Sequence, residues 1–270
     1  IYNHGFYKAK LNIESKDNEV SGIIKSVLFL TKGLIQKYSN IKIKFLYLYE
    51  KSQKTKMVAE ATGALLKTIC RENPSYRFSS LGLSKNLTLC EKVEIVNNEF
   101  GEMQSASLEV VYDKEKRYCK TLIETKLAEN DNGEYLRDNG VYIITGGMGA
   151  LGQKIVSSFM RKKNVKLYLL GRTKKNKAIE TRIDELCTNG GEIKYLSVDL
   201  SNSESVKACI RIIKEQISTI NGVVYCAGIN QDAMIQNKTS KQIDSVLKAK
   251  VYGVMNLDRA LKAEPLDFFC

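Results

Sequence analysis

The stretch Val141–Gly152, VYIITGGMGALG, holds the residues best suited to chemistry in this chain. Gly147, Gly149 and Gly152 fall in G-x-G-x-x-G spacing, the pattern of a loop that lets backbone approach a pyrophosphate. Gly147 suits a tight strand-to-helix turn, Gly149 a close approach to phosphate, and Gly152 the packing of helix on strand. Ahead of them the apolar, β-branched run Val141–Thr145 reads as a buried parallel strand, and behind them Gln153–Lys163 continues with helical periodicity. Phosphates would sit on the free N–H groups of that helix, where its dipole also favours negative charge. Glycine clusters are common in ordinary turns. The strand before and the helix after set this one apart.

Three further strand ends carry candidates. The second strand, KLYLL, ends in Gly171-Arg172-Thr173-Lys174-Lys175, without the carboxylate that would bind a ribose 2′-hydroxyl. Arg172 can hold a 2′-phosphate through planar, charge-assisted hydrogen bonds and Thr173 can add a hydroxyl, which favours NADP(H) over NAD. The plainer alternative is a solvated basic loop. Asp199 ends the third strand at VDLS, where a carboxylate is also stabilised simply by the helix N-terminus that follows. Tyr225-Cys226-Ala227-Gly228 ends the fourth, and its small residues would let a ring lie against backbone.

Those loops need a scaffold, and the second half of the chain supplies one. Strands at Val141–Thr145, Lys166–Leu170, Glu192–Val198 and Gly222–Cys226 alternate with helices at Leu151–Lys163, Lys177–Thr188, Asn202–Ile217 and Lys241–Leu261. That alternation predicts βαβ units in a doubly wound parallel sheet with right-handed crossovers. Ser201 with Glu204, and Thr239 with Gln242, read as capping boxes. In the first half, helices at Gly22–Tyr38, Met57–Glu72 and Leu89–Phe100 alternate with strands at Ile41–Tyr49 and Tyr76–Leu81. Ser107–Tyr112 and Arg117–Ile123 then form a hairpin. No strand end there carries a glycine fingerprint, so this half predicts a Rossmann-like unit without a cofactor loop. Residues 1–18 read as a lead-in, 19–125 as this unit, the polar Lys126–Gly140 stretch as a linker, and 141–270 as the cofactor-binding unit.

Composition narrows the class. At 270 residues the chain can bury a substantial core, and no segment approaches the ~20 apolar residues of a membrane span. The net charge of +12 invites a nucleic-acid reading, but the lysines are dispersed over helix faces and loops. The densest clusters, Arg161–Lys163 and Lys174–Lys177, lie close to the phosphate loop. Seven cysteines without a C-x-x-C pair predict reduced, mostly buried thiols in a cytoplasmic protein. With a single histidine, His4, neither a zinc site nor a Ser-His-Asp triad is credible. The N-terminus lacks an initiator Met and the C-terminus stops in the apolar run LDFFC, as if both were cut from a longer chain.

TGGMGALG, LLGRT, VDLS and YCAG together resemble the short-chain dehydrogenase/reductase family. More narrowly, YCAGINQD, LKAKVYGVMNLDRAL and PLDFF resemble ketoreductase domains of modular polyketide synthases, and VAEATGALLKTICRENPSYRFSSL resembles their structural subdomain. The resemblance implies that Thr145, Gly147, Met148, Gly149, Leu151, Gly152, Arg172, Thr173, Asp199, Leu200, Ala227 and Gly228 line an NADPH site. It implies that Lys250, in Lys250-Val251-Tyr252-Gly253, is the catalytic lysine. Such a lysine lowers the pKa of a neighbouring tyrosine that protonates the developing alkoxide. The family's Ser and Tyr fall after LDFF, beyond Cys270, so on this reading the chain alone binds NADPH weakly and reduces nothing. The implied substrate is a β-ketoacyl thioester on an acyl carrier protein, beside neighbouring synthase domains, with no nucleic acid, membrane or metal involved.

Other readings are a free-standing short-chain reductase, against which the extra loop-less half speaks, and an inactive structural domain of a synthase. A basic nucleic-acid binder carries the least weight. One departure bears on stereochemistry. Ketoreductases of one configuration carry a Leu-Asp-Asp marker where this chain reads Asn230-Gln231-Asp232, which assigns the parent enzyme to the opposite class. Chiral analysis of the intact module's product tests this, and the marker class's alcohol would contradict it.

Overall fold

The structure is a computed structural model that describes residues 19–38, 41–103, 109–114, 116–125, 136–162, 164–187 and 191–270. It divides into two compact units, one of residues 1–125 and 232–240, the other of 126–231 and 241–270. The expected lead-in 1–18 and most of the expected linker, 126–135, lie outside the described residues.

In the first unit α1 (Glu19–Lys37), β1 (Ile43–Glu50), α2 (Gln53–Glu72), β2 (Tyr76–Leu83) and α3 (Leu89–Gly101) are followed by β3 (Glu109–Asp113) and β4 (Lys116–Cys119). The sheet runs β1-β2-β3-β4, parallel except for the antiparallel β3–β4 hairpin. Both β2 neighbours are parallel strands, and its last six residues are all buried, as a central parallel strand requires. Helix starts are fixed by capping boxes absent from the expectation. Ser52 pairs with Thr55 at α2, which therefore begins four residues before Met57, and Thr88 pairs with Glu91 at α3. Segment 232–240 belongs to this unit through buried Ile235, whose N–H donates to the Glu72 carboxylate at 2.7 Å.

The second unit holds β5 (Val141–Thr145), α4 (Ala150–Lys162), β6 (Lys166–Gly171), α5 (Lys177–Leu186), β7 (Glu192–Ser197), α6 (Ser203–Lys214) and β8 (Gly222–Tyr225). The chain continues through α7 (Ser240–Leu247), whose first residue ends the first unit's segment, then α8 (Gly253–Ala260) and a short β9 (Phe268–Phe269). Its sheet is wholly parallel in the order β7-β6-β5-β8-β9, the doubly wound arrangement expected. The sheet's two faces are covered by separate apolar clusters. Ile143, Tyr168, Val206, Ile213 and Leu257 belong to one, Tyr142, Ile144, Val156, Met160 and Leu167 to the other. Alternate residues of β5 thus feed opposite faces.

Three expectations are corrected. The helix read as Lys241–Leu261 is broken by a π-turn, Lys248–Tyr252, between α7 and α8. The cap of α6 is Asn202, whose side chain accepts the Ser205 N–H, while Ser201 turns back to Asp199. The cysteines are free but not mostly buried: only Cys70 and Cys209 are, whereas Cys90, Cys119, Cys187 and Cys270 are exposed. Cys119 lies on the edge strand β4, whose residues all face solvent. Among the described residues no helix is long and apolar enough to cross a membrane.

Candidate cofactor site

The sheet order places a topological switch point at β5. The chain passes from β5 to β6 on one side, while β8 flanks β5 on the other, so a crevice opens at the carboxyl ends of these strands. Thr145 is in register with Leu170 of β6 and Tyr225 of β8, which brings the three candidate loops out side by side.

Gly146 makes the turn out of β5. It has φ +64°, the left-handed region that glycine enters without a steric penalty. A Cβ there would also lie 3.0 Å from the backbone of Cys226 and Ala227, so the loops after β5 and β8 touch main chain to main chain. The turn glycine is thus Gly146, one residue ahead of the Gly147 that the spacing selected. Gly147 instead faces Leu169, and Gly152 meets the loop so closely that a Cβ would sit 2.3 Å from the Gly146 carbonyl oxygen. Gly149 is exposed, and a Cβ added there would have only that same carbonyl within 4 Å. Its missing side chain leaves the outer face of the loop open beside the first-turn N–H groups of α4, which have no acceptor within the helix.

The loop is braced from below. Gln153 donates to the Met148 carbonyl at 2.8 Å, and Arg182 of α5 donates to the Gln153 amide oxygen at 2.7 and 3.0 Å. The half-buried Met148 side chain packs against the core cluster on one face of the sheet. Thr145 is fully buried, and its hydroxyl accepts the Ala227 N–H at 3.1 Å. It joins the β5 and β8 ends and is closed to direct contact with a ligand. Leu151 is 65% exposed on the first turn of α4.

Arg172 and Thr173 follow β6, both exposed. Tyr195 of β7 sends its hydroxyl over Gly171 to the Thr173 carbonyl at 2.7 Å, and Ser197 donates to the Arg172 carbonyl at 3.3 Å. Those two bonds hold the backbone while the guanidinium stays outside, with no ion-pair partner among the described residues. Asp199 accepts the N–H and hydroxyl of Ser201 at 2.9 and 2.8 Å, so it shapes its own turn. Leu200 is buried and belongs to the core cluster; its carbonyl accepts from Asn256 of α8 at 2.9 Å. Its side chain does not face the crevice.

Lys250 rides on the π-turn. Its Cε would stand 3.2 Å from a Cβ at Gly228, and its Nζ donates to Asn230 Oδ1 at 3.4 Å. The structure therefore brings Lys250, Gly228 and the β8 loop together. Four residues that matter here were missed in the sequence: Gly146, Gln153, Tyr195 and Asn256. Only Gly146 carried a local signal, as the glycine directly after the strand.

An open glycine loop at a helix start, an exposed guanidinium after the second strand and small residues at Ala227–Gly228 are groups that suit a dinucleotide cofactor. The residues fit the group.

Comparison with known proteins bears on the family and the fold. The sequence model of the KR domain matches residues 140–270, and one described as β-ketoacyl synthase-like, N-terminal, matches 4–99. Polyketide synthase PksN of Bacillus subtilis is 34% identical over 207 residues, 76% of this chain and 4% of its own length. PksM of the same organism is 33% identical over 172 residues, 63% of this chain and again 4% of its own length. Residues 140–270 are a KR domain of the polyketide-synthase type. KR domains are oxidoreductase parts of longer synthases and bind a nicotinamide cofactor. An N-terminal ketoreductase from the macrolactin assembly line superposes with TM-score 0.74 at 28% identity, covering 90% of this chain and 49% of that one. A ketoreductase domain from the bacillaene assembly line, 24% identical, shares the fold with TM-score 0.81 over 96% of this chain and 61% of its own.

Replacing Gly146 by Ala forces an L-residue into the left-handed region, roughly 1–2 kcal/mol before any contact is counted, and presses a methyl on the Ala227 backbone. Gly147→Ala meets only the movable Leu169 side chain. In chemical denaturation Gly146→Ala is expected to lose clearly more stability than Gly147→Ala; equal losses would contradict this assignment of the turn.

Proposed function

We propose that the chain carries the NADPH-binding side of a ketoreductase that reduces a β-ketoacyl thioester, tethered to an acyl carrier protein, to the β-hydroxyacyl form. The chain spans only 4% of PksN and of PksM, so their neighbouring domains and a carrier-protein partner belong to this proposal, as does a cytoplasmic location. Residues 19–125 would be the structural half of the ketoreductase, in keeping with solved ketoreductases that cover 90% and 96% of this chain.

The single observation that carries the reading is the convergence of the Gly146–Gly152 loop, Arg172 and Lys250 on the switch point of one parallel sheet. The loop and the α4 start would hold the diphosphate, with Gly149 leaving room for it. Arg172 would hold the 2′-phosphate by a two-pronged, charge-assisted contact, and Thr173 would add its hydroxyl. Ala227 and Gly228 would give a flat backbone surface for a ring, and Asp199 and Leu200 would serve through the turn they build. When bound, the nicotinamide supplies a hydride for the ketone carbon. Lys250, whose stem passes Gly228, would favour negative charge developing on an oxygen donor or on the product alkoxide.

NADPH and NADH titrations of the chain and of Arg172→Ala test the reading. A charge-assisted contact contributes about 1.5–3 kcal/mol, so the variant should lose roughly 10- to 100-fold in affinity for NADPH and keep its affinity for NADH. No binding of either nucleotide to the native chain would refute it.

A further inference from the structure

The helix that carries Lys250 is not continuous, and the break has a visible cause. At Gly253 the N–H reaches back five residues to the Lys248 carbonyl, where an α-helix would use the Ala249 carbonyl four residues back. Ala249's carbonyl instead accepts the hydroxyl of Tyr225, the last residue of β8, at 2.5 Å. The hydroxyl can get there only because residue 253 is glycine. A Cβ at that position would lie 2.2 Å from the Tyr225 oxygen and 3.3 Å from the Leu200 Cβ.

We propose that Tyr225 is a positioning residue for Lys250: its hydroxyl holds the Ala249 carbonyl, keeps the π-turn open and so fixes where the lysine carries its ammonium group. The proposal rests on the role given to Lys250 above. Tyr225 is well placed for it. Its own backbone is locked into the sheet, paired with Thr145 and donating to the Cys270 carbonyl at 2.6 Å, so the hydroxyl is presented from a rigid strand. Burial pushes its phenol up to about 12, which keeps it a protonated donor at any working pH. The far side of the turn is pinned as well, by buried Asn256 donating to the Leu200 carbonyl. Between these two anchors lies Lys250, one residue after the held carbonyl, with its stem crossing Gly228 toward Asn230. A regular α-helix through the same stretch would close its hydrogen bonds four residues back instead of five, and so would change the rotation of Lys250 relative to α8.

The test follows the lysine itself. The 270-residue chain is labelled by reductive methylation with ¹³C-formaldehyde, and the Lys250 methyl signal is assigned by its loss in Lys250→Arg. Tyr225→Phe removes the donor and keeps the ring; Gly253→Ala removes the space for the hydroxyl. Both are expected to move the Lys250 signal by more than its linewidth while the lysine signals of α2 and α5 stay in place. A Lys250 signal unmoved in the folded variants, with only a lowered unfolding temperature, would overturn the proposal by reducing the hydroxyl to a stabilising bond. If one variant does not fold, the other decides. NADPH titration of the unsubstituted chain is run alongside. Absent binding there removes the cofactor reading, while the displaced or undisplaced Lys250 signal still decides the role of Tyr225.

Discussion

The site depends on one contact in which nothing but backbone fits. Gly146 lies against the main chain of Cys226 and Ala227, and Gly152 lies against Gly146. Any side chain at these positions would part the β5 and β8 loops, lift the start of α4, and widen the crevice at the switch point. The fully buried Thr145 hydroxyl closes the same seam by accepting the Ala227 N–H. A buried polar group that found no partner would cost on the order of 1–3 kcal/mol, so this bond specifies the seam as well as filling it. The positions of Arg172 and Lys250 are then measured from this fixed point, one on each side.

Strand tyrosines set those two positions. Tyr195 reaches from β7 to the Thr173 carbonyl and Tyr225 from β8 to the Ala249 carbonyl. At the opposite end of the sheet, Tyr142 of β5 accepts the N–H of Arg137. Each phenol ring packs in a core cluster or against one while its hydroxyl leaves the core to fix a loop. For Tyr195 and Tyr225 a glycine, Gly171 or Gly253, provides the passage. Burial raises the pKa of all three hydroxyls, so none of these ties is lost by ionisation near neutral pH.

Much of this was legible in the residues. The apolar runs of β5 and β6 announce buried parallel strands, and alternation with helices predicts the doubly wound sheet, because both signals arise from local burial. The glycine loop and Arg172 were also readable, since their positions follow from the strand ends. What escaped depends on contacts distant in sequence. Gly146 and Gly147 are adjacent and alike, and only the approach of Cys226 and Ala227, about eighty residues on, decides which of them turns. The π-turn is invisible in Leu247–Gly253 because its cause is Tyr225, whose hydroxyl crosses 24 residues of sequence. Ser201 and Asn202 are both good caps, and Asp199 captured the first and left the second to α6. Leu200 matched a motif by position, yet its side chain belongs to the core.

A crystal structure of the chain grown with NADPH tests the central claim most directly, because it reports where the nucleotide lies and not merely whether it binds. The account predicts the diphosphate over Gly146–Gly152, the 2′-phosphate on the Arg172 guanidinium and the nicotinamide end at Gly228 beside Lys250. Nucleotide bound away from the β5–β8 seam, with Arg172 left in solvent, would contradict it.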